Sequence, residues 1–186
     1  MDAEEKMTKR ESPKTDELLA SLSREQLIEL VRVYALDFLA VDGYWFQSVE
    51  RRCGMDEAMR HDCEVWRDYT RTEARRLKKF LGLPERAGLD GLEKALALRF
   101  AAFVHPGLAC RREENRLVFE VVRCRVQEAR GRKGLPFHPC KAVGVEEYTH
   151  FAREIDPRIE CRMLSCYPEV SDPLCACAWE FTLREE

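Results

Sequence analysis

The last third of the chain decides the fold. From Arg123 to Phe181 it reads RCRVQEARGRKGLPFHPCKAVGVEEYTHFAREIDPRIECRMLSCYPEVSDPLCACAWEF. Apolar segments alternate here with short helical patterns and with turns that contain proline or glycine, which predicts strands separated by helices. Six of the nine cysteines lie in this stretch. They fall at predicted strand ends and in turns, where side chains from distant parts of a sequence can meet.

Three apolar segments of the C-terminal region are predicted strands. They are RLVFEVVRC (116–124), RIECRMLSC (158–166) and CACAWEFTL (175–183). Short helices are predicted between them, in VQEARGRK (126–133) and GVEEYTHFAREI (144–155). We therefore expect a small, mostly antiparallel sheet with helices on one side.

The first hundred residues are predicted to be helical. Ser23 and Gln26 have the spacing of a capping box. Further helices are predicted at 56–80 and, as one continuous helix, at 92–104. The first long helix carries apolar residues at alternating spacings of four and three, which predicts one apolar helix face. These residues are Leu27, Val31, Tyr34, Phe38, Val41 and Trp45.

The fold class that follows is α+β, with an N-terminal helical bundle and then the small sheet. Residues 1–14 are predicted to be a polar tail, 15–110 the helical part and 111–186 the cysteine-rich α+β part. We expect the last two parts to form one compact domain, because the chain has the length of a single domain.

Composition narrows the classes of function. The net charge of −3 gives no overall field that attracts nucleic acid, and no apolar run approaches the ~20 residues of a membrane span. The charged N-terminus lacks the apolar core of a secretory signal, so we expect a cytoplasmic protein with reduced thiols. The partners that we consider are a small-molecule ligand and a second copy of the chain.

Four cysteines are predicted to converge at one end of the sheet. Cys124 and Cys166 end strands, Cys140 follows Pro139 in a loop, and strand alternation turns Cys177 toward the core. Thiolates from several segments suit zinc or an iron–sulfur cluster. The first hypothesis is thus a metal or cluster site with redox or sensor function, held by Cys124, Cys140, Cys166 and Cys177.

Two other interpretations of the cysteines stay open. Cys140 could be a catalytic nucleophile, and His138, two residues before it, is the candidate for a cysteine–histidine pair. Alternatively the cysteines fill the core of an interaction or sensor module, since buried free cysteine behaves as a small apolar residue.

Three carboxylates lie on or beside apolar helix stripes: Asp42, Asp62 and Glu73. A buried carboxylate costs several kcal/mol unless it is paired, so such groups can mark a site between helices. Asp42, Asp62 and Glu73 are therefore candidates for acid–base catalysis beside Cys140. The alternative is pairing with nearby arginines, which are Arg51, Arg52, Arg75 and Arg76.

With these residues in view, residues 20–183 resemble an uncharacterised family of small, cysteine-rich cytosolic proteins of bacteria and archaea. Its members carry a similar Asp-Gly-x-Trp-Phe segment and an acidic residue before a tryptophan. The matching residues are Val41, Asp42, Gly43, Trp45 and Phe46, followed by Glu64 and Trp66.

More distantly, the C-terminal third is similar to the L-2-amino-thiazoline-4-carboxylic acid hydrolase family. The match comprises a strand that ends in cysteine, a proline–cysteine loop and a final strand that begins with cysteine, and its cysteines are Cys124, Cys140 and Cys177. The sequence lacks that family's acidic residues in Lys141–Val143 and at Ala178. The resemblance implies a hydrolase of a small sulfur- or nitrogen-containing heterocycle, with a cysteine nucleophile.

Overall fold

The computed structural model describes residues 13–184, and these form the predicted α+β fold. The helices are α1 (Pro13–Ser21), α2 (Arg24–Cys53), α3 (Met55–Phe80), α4 (Gly88–Leu98), α5 (Phe100–Val104), α6 (Arg125–Arg132) and α7 (Lys141–Ile155). The strands are β1 (Leu108–Glu113), β2 (Arg116–Val121), β3 (Ile159–Cys166) and β4 (Cys177–Leu183).

The four strands form one sheet in the order β1-β2-β4-β3, and all neighbours are antiparallel. Leu117, Phe119, Trp179 and Phe181 alternate along β2 and β4 and belong to the main core. Helices α4 and α7 cover this face, and α3 packs on α7. The other face carries Glu180, which is paired with arginines of β2 and β3.

The capping box predicted at the start of α2 forms. The Ser23 side chain accepts a hydrogen bond from the N–H of Gln26, and the Gln26 side chain accepts one from the N–H of Ser23. Gly54 ends the helix with a φ of 86°, a conformation that favours glycine, and α3 begins at the next residue. The sharp reversal lets α2 lie against α3.

Most of the apolar stripe predicted on α2 is exposed, which corrects the expectation of a packed face. The exposed fractions are 65% for Tyr34, 66% for Val41 and 67% for Trp45. Ala35 and Phe46 are the buried residues of this helix. Apolar periodicity marks a helix, but it does not say that the chain itself covers the stripe. A homodimer stays a prediction.

The predicted helix at 92–104 is broken at Arg99, where ψ is 158°. Arg99 is fully buried, and its Nη2 lies 2.9 Å from Oε2 of Glu73. The other oxygen of Glu73 accepts a hydrogen bond from the N–H of Phe100, the first residue of α5. A buried ion pair from another helix thus interrupts a pattern that is locally helical.

One of the predicted part boundaries coincides with β1. A boundary at 110/111 falls inside this strand, and the helices of the N-terminal part end at Val104. The strand was missed because Cys110 to Glu113 are exposed and mostly charged, as edge strands often are. Of the predicted tail at 1–14, residues 1–12 lie outside the described residues, and α1 begins at Pro13.

Across residues 13–184, none of the helices combines the length and the apolar character that a membrane span requires.

Candidate functional site

A cavity of about 350 Å³ lies where α2, α3, α6 and α7 meet the ends of β2, β3 and β4. Its wall is largely apolar and aromatic. The apolar lining includes Leu39, Phe46, Trp66, Phe100, Val143 and Trp179. The polar lining includes Asp42, Asp62, Gln127, His138, Cys140 and Glu147. The lining also contains basic side chains, among them Arg125, Arg130 and Lys133. An apolar cavity with polar groups on its wall is typical of a small-molecule site.

Cys140 lies at the N-terminus of α7 and is its N-cap residue. The next residue, Lys141, donates its backbone N–H to the carbonyl oxygen of Tyr167 at 3.0 Å, which ties the start of α7 to the end of β3. A thiolate at a helix N-terminus is stabilised by the helix dipole and by the free N–H groups of the first turn.

His138 and Asp62 join the loop before α7 to α3. Nε2 of His138 lies 3.0 Å from Oδ2 of Asp62, and both side chains are buried. Nδ1 of His138 is also buried and has no hydrogen-bond partner within the described part of the chain. With Nε2 held by Asp62, Nδ1 is the ring nitrogen left for the thiol of Cys140, two residues further on.

Gln127 of α6 holds this loop in place. Its side-chain oxygen accepts the backbone N–H of His138 at 3.0 Å, and its side-chain nitrogen donates to the carbonyl oxygen of His138 at 2.8 Å. The same nitrogen lies 3.6 Å from Sγ of Cys140. One amide therefore fixes both His138 and the thiol.

The surroundings lower the pKa of Cys140 and raise the pKa of His138. A hydrogen bond with Cys166, and then the nearby His138, outweigh burial and lower the pKa of Cys140 to about 5. Burial opposes a charge on His138, but the hydrogen bond with Asp62 and the nearby Cys140 raise its pKa to about 9. Both shifts favour a thiolate beside an imidazolium, which is the reactive form of a cysteine nucleophile.

Asp42 and Glu147 add two carboxyl groups to the cavity wall. Burial, reinforced by the charge of Asp62, raises the pKa of Asp42 to about 7. Burial also raises the pKa of Glu147 to about 7, although its Oε1 lies 2.7 Å from Nη1 of Arg99. A carboxyl that titrates near neutrality can either accept or donate a proton.

All four cysteines predicted to converge line the same cavity: Cys124, Cys140, Cys166 and Cys177. Sγ of Cys140 lies 3.5 Å from Sγ of Cys166, and Cys166 is paired with Cys177 across β3 and β4. Burial raises the pKa of Cys124 to about 12, and hydrogen bonds with Cys140 and Cys177 raise that of Cys166.

The remaining two cysteines of the C-terminal stretch lie outside this lining. Cys161 is in mid-strand on β3, and Cys175 directs its thiol at the carbonyl oxygens of Val121 and Cys177. In residues 13–184, no group of three or more histidine, cysteine, aspartate or glutamate side chains is arranged to hold a metal ion. The zinc or iron–sulfur site stays a prediction.

The predicted carboxylates differ in their surroundings. Asp42 and Asp62 line the cavity, whereas Glu73 is absent from its lining. Glu73 pairs with Arg99 and caps α5, so the structure gives it a role in folding rather than a place beside Cys140. Its partner is none of the four arginines expected from the sequence, and the partner of Asp62 is a histidine.

Sequence reasoning did not single out Gln127, Glu147 or Trp179. Glu147 follows Cys140 by two helical turns, so the spacing of seven placed it on the same face of α7 as the thiol. Trp179 packs against Gly144, where an added Cβ would lie 2.5 Å from the indole ring. No local signal could have found Gln127, because its partners belong to another segment.

One family model matches this chain. The family is described as "Family of unknown function (DUF6125)", and the match covers residues 20–183. Searches of curated proteins and of solved structures found no match. The prediction of an uncharacterised family is confirmed. The chain belongs to DUF6125, a family of unknown function.

Proposed function

We propose that the protein is a hydrolase of a small sulfur- or nitrogen-containing heterocycle, with Cys140 as its nucleophile. One observation carries the proposal: Asp62, His138 and Cys140 line one cavity, where His138 is bonded to Asp62 and lies two residues before Cys140. The resemblance of the C-terminal third to a thiazoline hydrolase family adds support for the substrate class.

The reaction proceeds in two stages. The Cys140 thiolate attacks the ring carbon bonded to sulfur and nitrogen, the carbon–sulfur bond breaks, and His138 protonates the departing sulfur. The ring is then open and bonded to Cys140. His138, now neutral, removes a proton from water, which attacks the same carbon and releases Cys140 as a thiolate. Asp62 orients the imidazole and stabilises its charge.

Other groups of the cavity fit supporting roles. The N–H of Lys141 is bonded to Tyr167, but the other N–H groups of the first turn of α7 are suited to the negative charge that develops during attack. Asp42, with a pKa of about 7, can exchange a proton with the ring nitrogen of the substrate. Gln127 acts as a positioning residue through its bonds to His138.

The cavity suits a small, flat ligand with a polar acceptor. Trp66, Phe100 and Trp179 give it aromatic walls. Nε1 of Trp179 is a buried donor that has no hydrogen-bond partner among residues 13–184. A ligand that contributes an acceptor there would remove the cost of leaving that donor unpaired.

The test uses the reduced, full-length protein with 2-amino-thiazoline-4-carboxylate and with p-nitrophenyl acetate, a general probe for nucleophilic thiols. We expect ring opening, detected as a new free thiol, and a burst of nitrophenolate with acetylation of Cys140 found by peptide mass spectrometry. Cys140→Ser and His138→Asn should abolish both, because they remove the nucleophile and its acid–base partner.

The matched control is Cys110→Ser, which changes an exposed cysteine of β1 outside the cavity. It should behave as the wild type. Ring opening that persists in Cys140→Ser, or acetylation confined to other residues, would exclude the proposed nucleophile. Acetylation of Cys140 without ring opening would support Cys140 as the nucleophile but exclude 2-amino-thiazoline-4-carboxylate as a substrate.

A soft-metal centre is the second proposal, because Sγ of Cys166 touches Sγ of Cys140 at 3.5 Å and Cys166 lies opposite Cys177 on the neighbouring strand. Zinc or an iron–sulfur cluster would take these thiolates as ligands, with Cys124 as the fourth. Elemental analysis and visible absorption of anaerobically purified protein test this. Less than stoichiometric zinc and iron would reject it, whereas a bound metal lost in Cys177→Ser would favour it over the hydrolase.

The proposal includes a reducing, cytoplasmic setting in a bacterium or archaeon, as the resemblance implies. All nine cysteines are free thiols, which suits a reducing compartment. A cysteine nucleophile also needs such a setting, because its thiolate is readily oxidised.

A further inference from the structure

We propose that Cys140 and Cys166 form a reversible disulfide when a hydroperoxide enters the cavity, and that this bond switches off the nucleophile. The inference rests on the proposed function only for its consequence, the loss of activity. Formation of the disulfide is inferred from the positions of the two thiols in the cavity, and it can be measured without a substrate.

The two sulfurs are already in contact. Sγ of Cys140 and Sγ of Cys166 are 3.5 Å apart, and a disulfide needs a separation of about 2.05 Å. The backbone holds their neighbours together, since the N–H of Lys141 bonds to the carbonyl oxygen of Tyr167. Side-chain rotation of Cys140 and Cys166 can therefore close the gap while the fold stays in place.

The two thiols differ in access, which sets the order of events. Cys140 lines the cavity beside His138 and is half-buried, whereas Cys166 is only 1% exposed. A peroxide that enters the cavity therefore meets Cys140 first. A thiol that is shielded from solvent but touches the oxidised one is suited to resolve it.

The electrons and atoms balance in two steps. The Cys140 thiolate attacks one oxygen of the hydroperoxide, the O–O bond breaks, and His138 protonates the departing oxygen, which leaves Cys140 as a sulfenic acid. The sulfur of Cys166 then attacks Sγ of Cys140. The hydroxyl leaves as water with the proton of Cys166, and a dithiol later returns two electrons and two protons.

Cys177 is the nearest competitor. Cys177 lies on β4, opposite Cys166, and lines the same cavity. Its position therefore also allows a disulfide with Cys166. Such a bond would require oxidation of Cys166 or Cys177 before Cys140. The helix N-terminus and the histidine activate Cys140 alone, so the first sulfenic acid forms there and meets Cys166.

The test treats the reduced wild-type protein with hydrogen peroxide, blocks remaining thiols with N-ethylmaleimide and maps the digest by mass spectrometry. We expect one intramolecular link, between the peptides of Cys140 and Cys166, and a protein mass lower by about 2 Da in a sample taken before the thiols are blocked. Dithiothreitol should reverse it and restore the acetylation of Cys140 by p-nitrophenyl acetate.

Two variants test whether Cys166 is the thiol that forms the disulfide with Cys140. In Cys166→Ser the sulfenic acid cannot be resolved, so trapping by dimedone and overoxidation of Cys140 should rise about tenfold over the wild type. Cys110→Ser, the exposed control on β1, should form the same link as the wild type.

A link to Cys177 or Cys124 instead of Cys166 would overturn the proposal. So would equal overoxidation of Cys140 in the wild type and in Cys166→Ser. These outcomes are separate from failure of the proposed function, in which the disulfide forms but the reduced protein opens no heterocycle.

Discussion

Nε2 of His138 and Oδ2 of Asp62 lie 3.0 Å apart although 76 positions separate the residues in the sequence. The bond connects the loop before α7 to the buried face of α3. It fixes the imidazole beside Cys140, and this relationship distinguishes Cys140 from the other eight cysteines of the chain. Four predictions follow from it and from the packing around it.

Labelling of Cys140 by iodoacetamide should be nearly independent of pH between about 6 and 8. Its pKa is lowered to about 5, so the thiolate already predominates at pH 6 and a further rise in pH adds little. Rates of modification at each cysteine, measured by peptide mass spectrometry, check this.

Cys110 is the internal control for that experiment. Cys110 as a whole residue is exposed, but its thiol is partly buried, which raises the pKa of the thiol to about 11. The rate of its labelling should therefore increase about tenfold per pH unit between about pH 6 and 8. A steep rise for Cys140 as well would mean that its thiol is protonated at neutral pH.

Asp62→Asn should slow the labelling of Cys140 at pH 6 by about tenfold or more. The substitution removes the negative charge that raises the pKa of His138, so the imidazolium that stabilises the thiolate is lost. Asp68→Asn is the matched control, because Asp68 lies on α3 as well but is exposed. Equal rates in the two variants would argue against a role for Asp62.

Gly144→Ala should destabilise the fold by about 1–3 kcal/mol. An added Cβ would lie 2.5 Å from Trp179, which is 1% exposed and has little room to move. Gly43→Ala is the control, since a Cβ there meets only the end of Gln47 at 3.8 Å in a helix interior. Urea denaturation should show the control unchanged or slightly more stable, and loss of stability in both would implicate the helices rather than Trp179.

Arg99→Met should reduce stability by about 3–5 kcal/mol, because it leaves Glu73 and Glu147 without their buried cation. The double variant with Glu73→Gln should recover part of the loss, which urea denaturation can measure. Arg112→Met removes an exposed pair with Asp90 and should change stability by about 0.5 kcal/mol or less. If Arg99→Met is as mild as this control, the buried pairs do not hold the break between α4 and α5.

Much of the fold could be predicted from local patterns. The capping box at Ser23 and the turn at Gly54 mark both ends of α2, and alternation identified the core face of β4. Local patterns gave wrong predictions where the structure depends on contacts with another segment of the chain. A buried pair with Glu73 breaks the helix at Arg99, and the apolar stripe of α2 stays exposed because the described chain supplies nothing that covers it.

Apart from β1 and the break at Arg99, the sequence by itself determined the order of helices and strands, and it determined which cysteines meet at one end of the sheet. It did so because helical and strand periodicity, capping residues and turn residues act over a few positions. Only the tertiary structure decided that Asp62 holds His138, that Gln127 clamps the loop and that Cys166 touches Cys140. These contacts join segments far apart in the chain, and the pKa of a thiol depends on what surrounds it in space rather than on its neighbours in sequence.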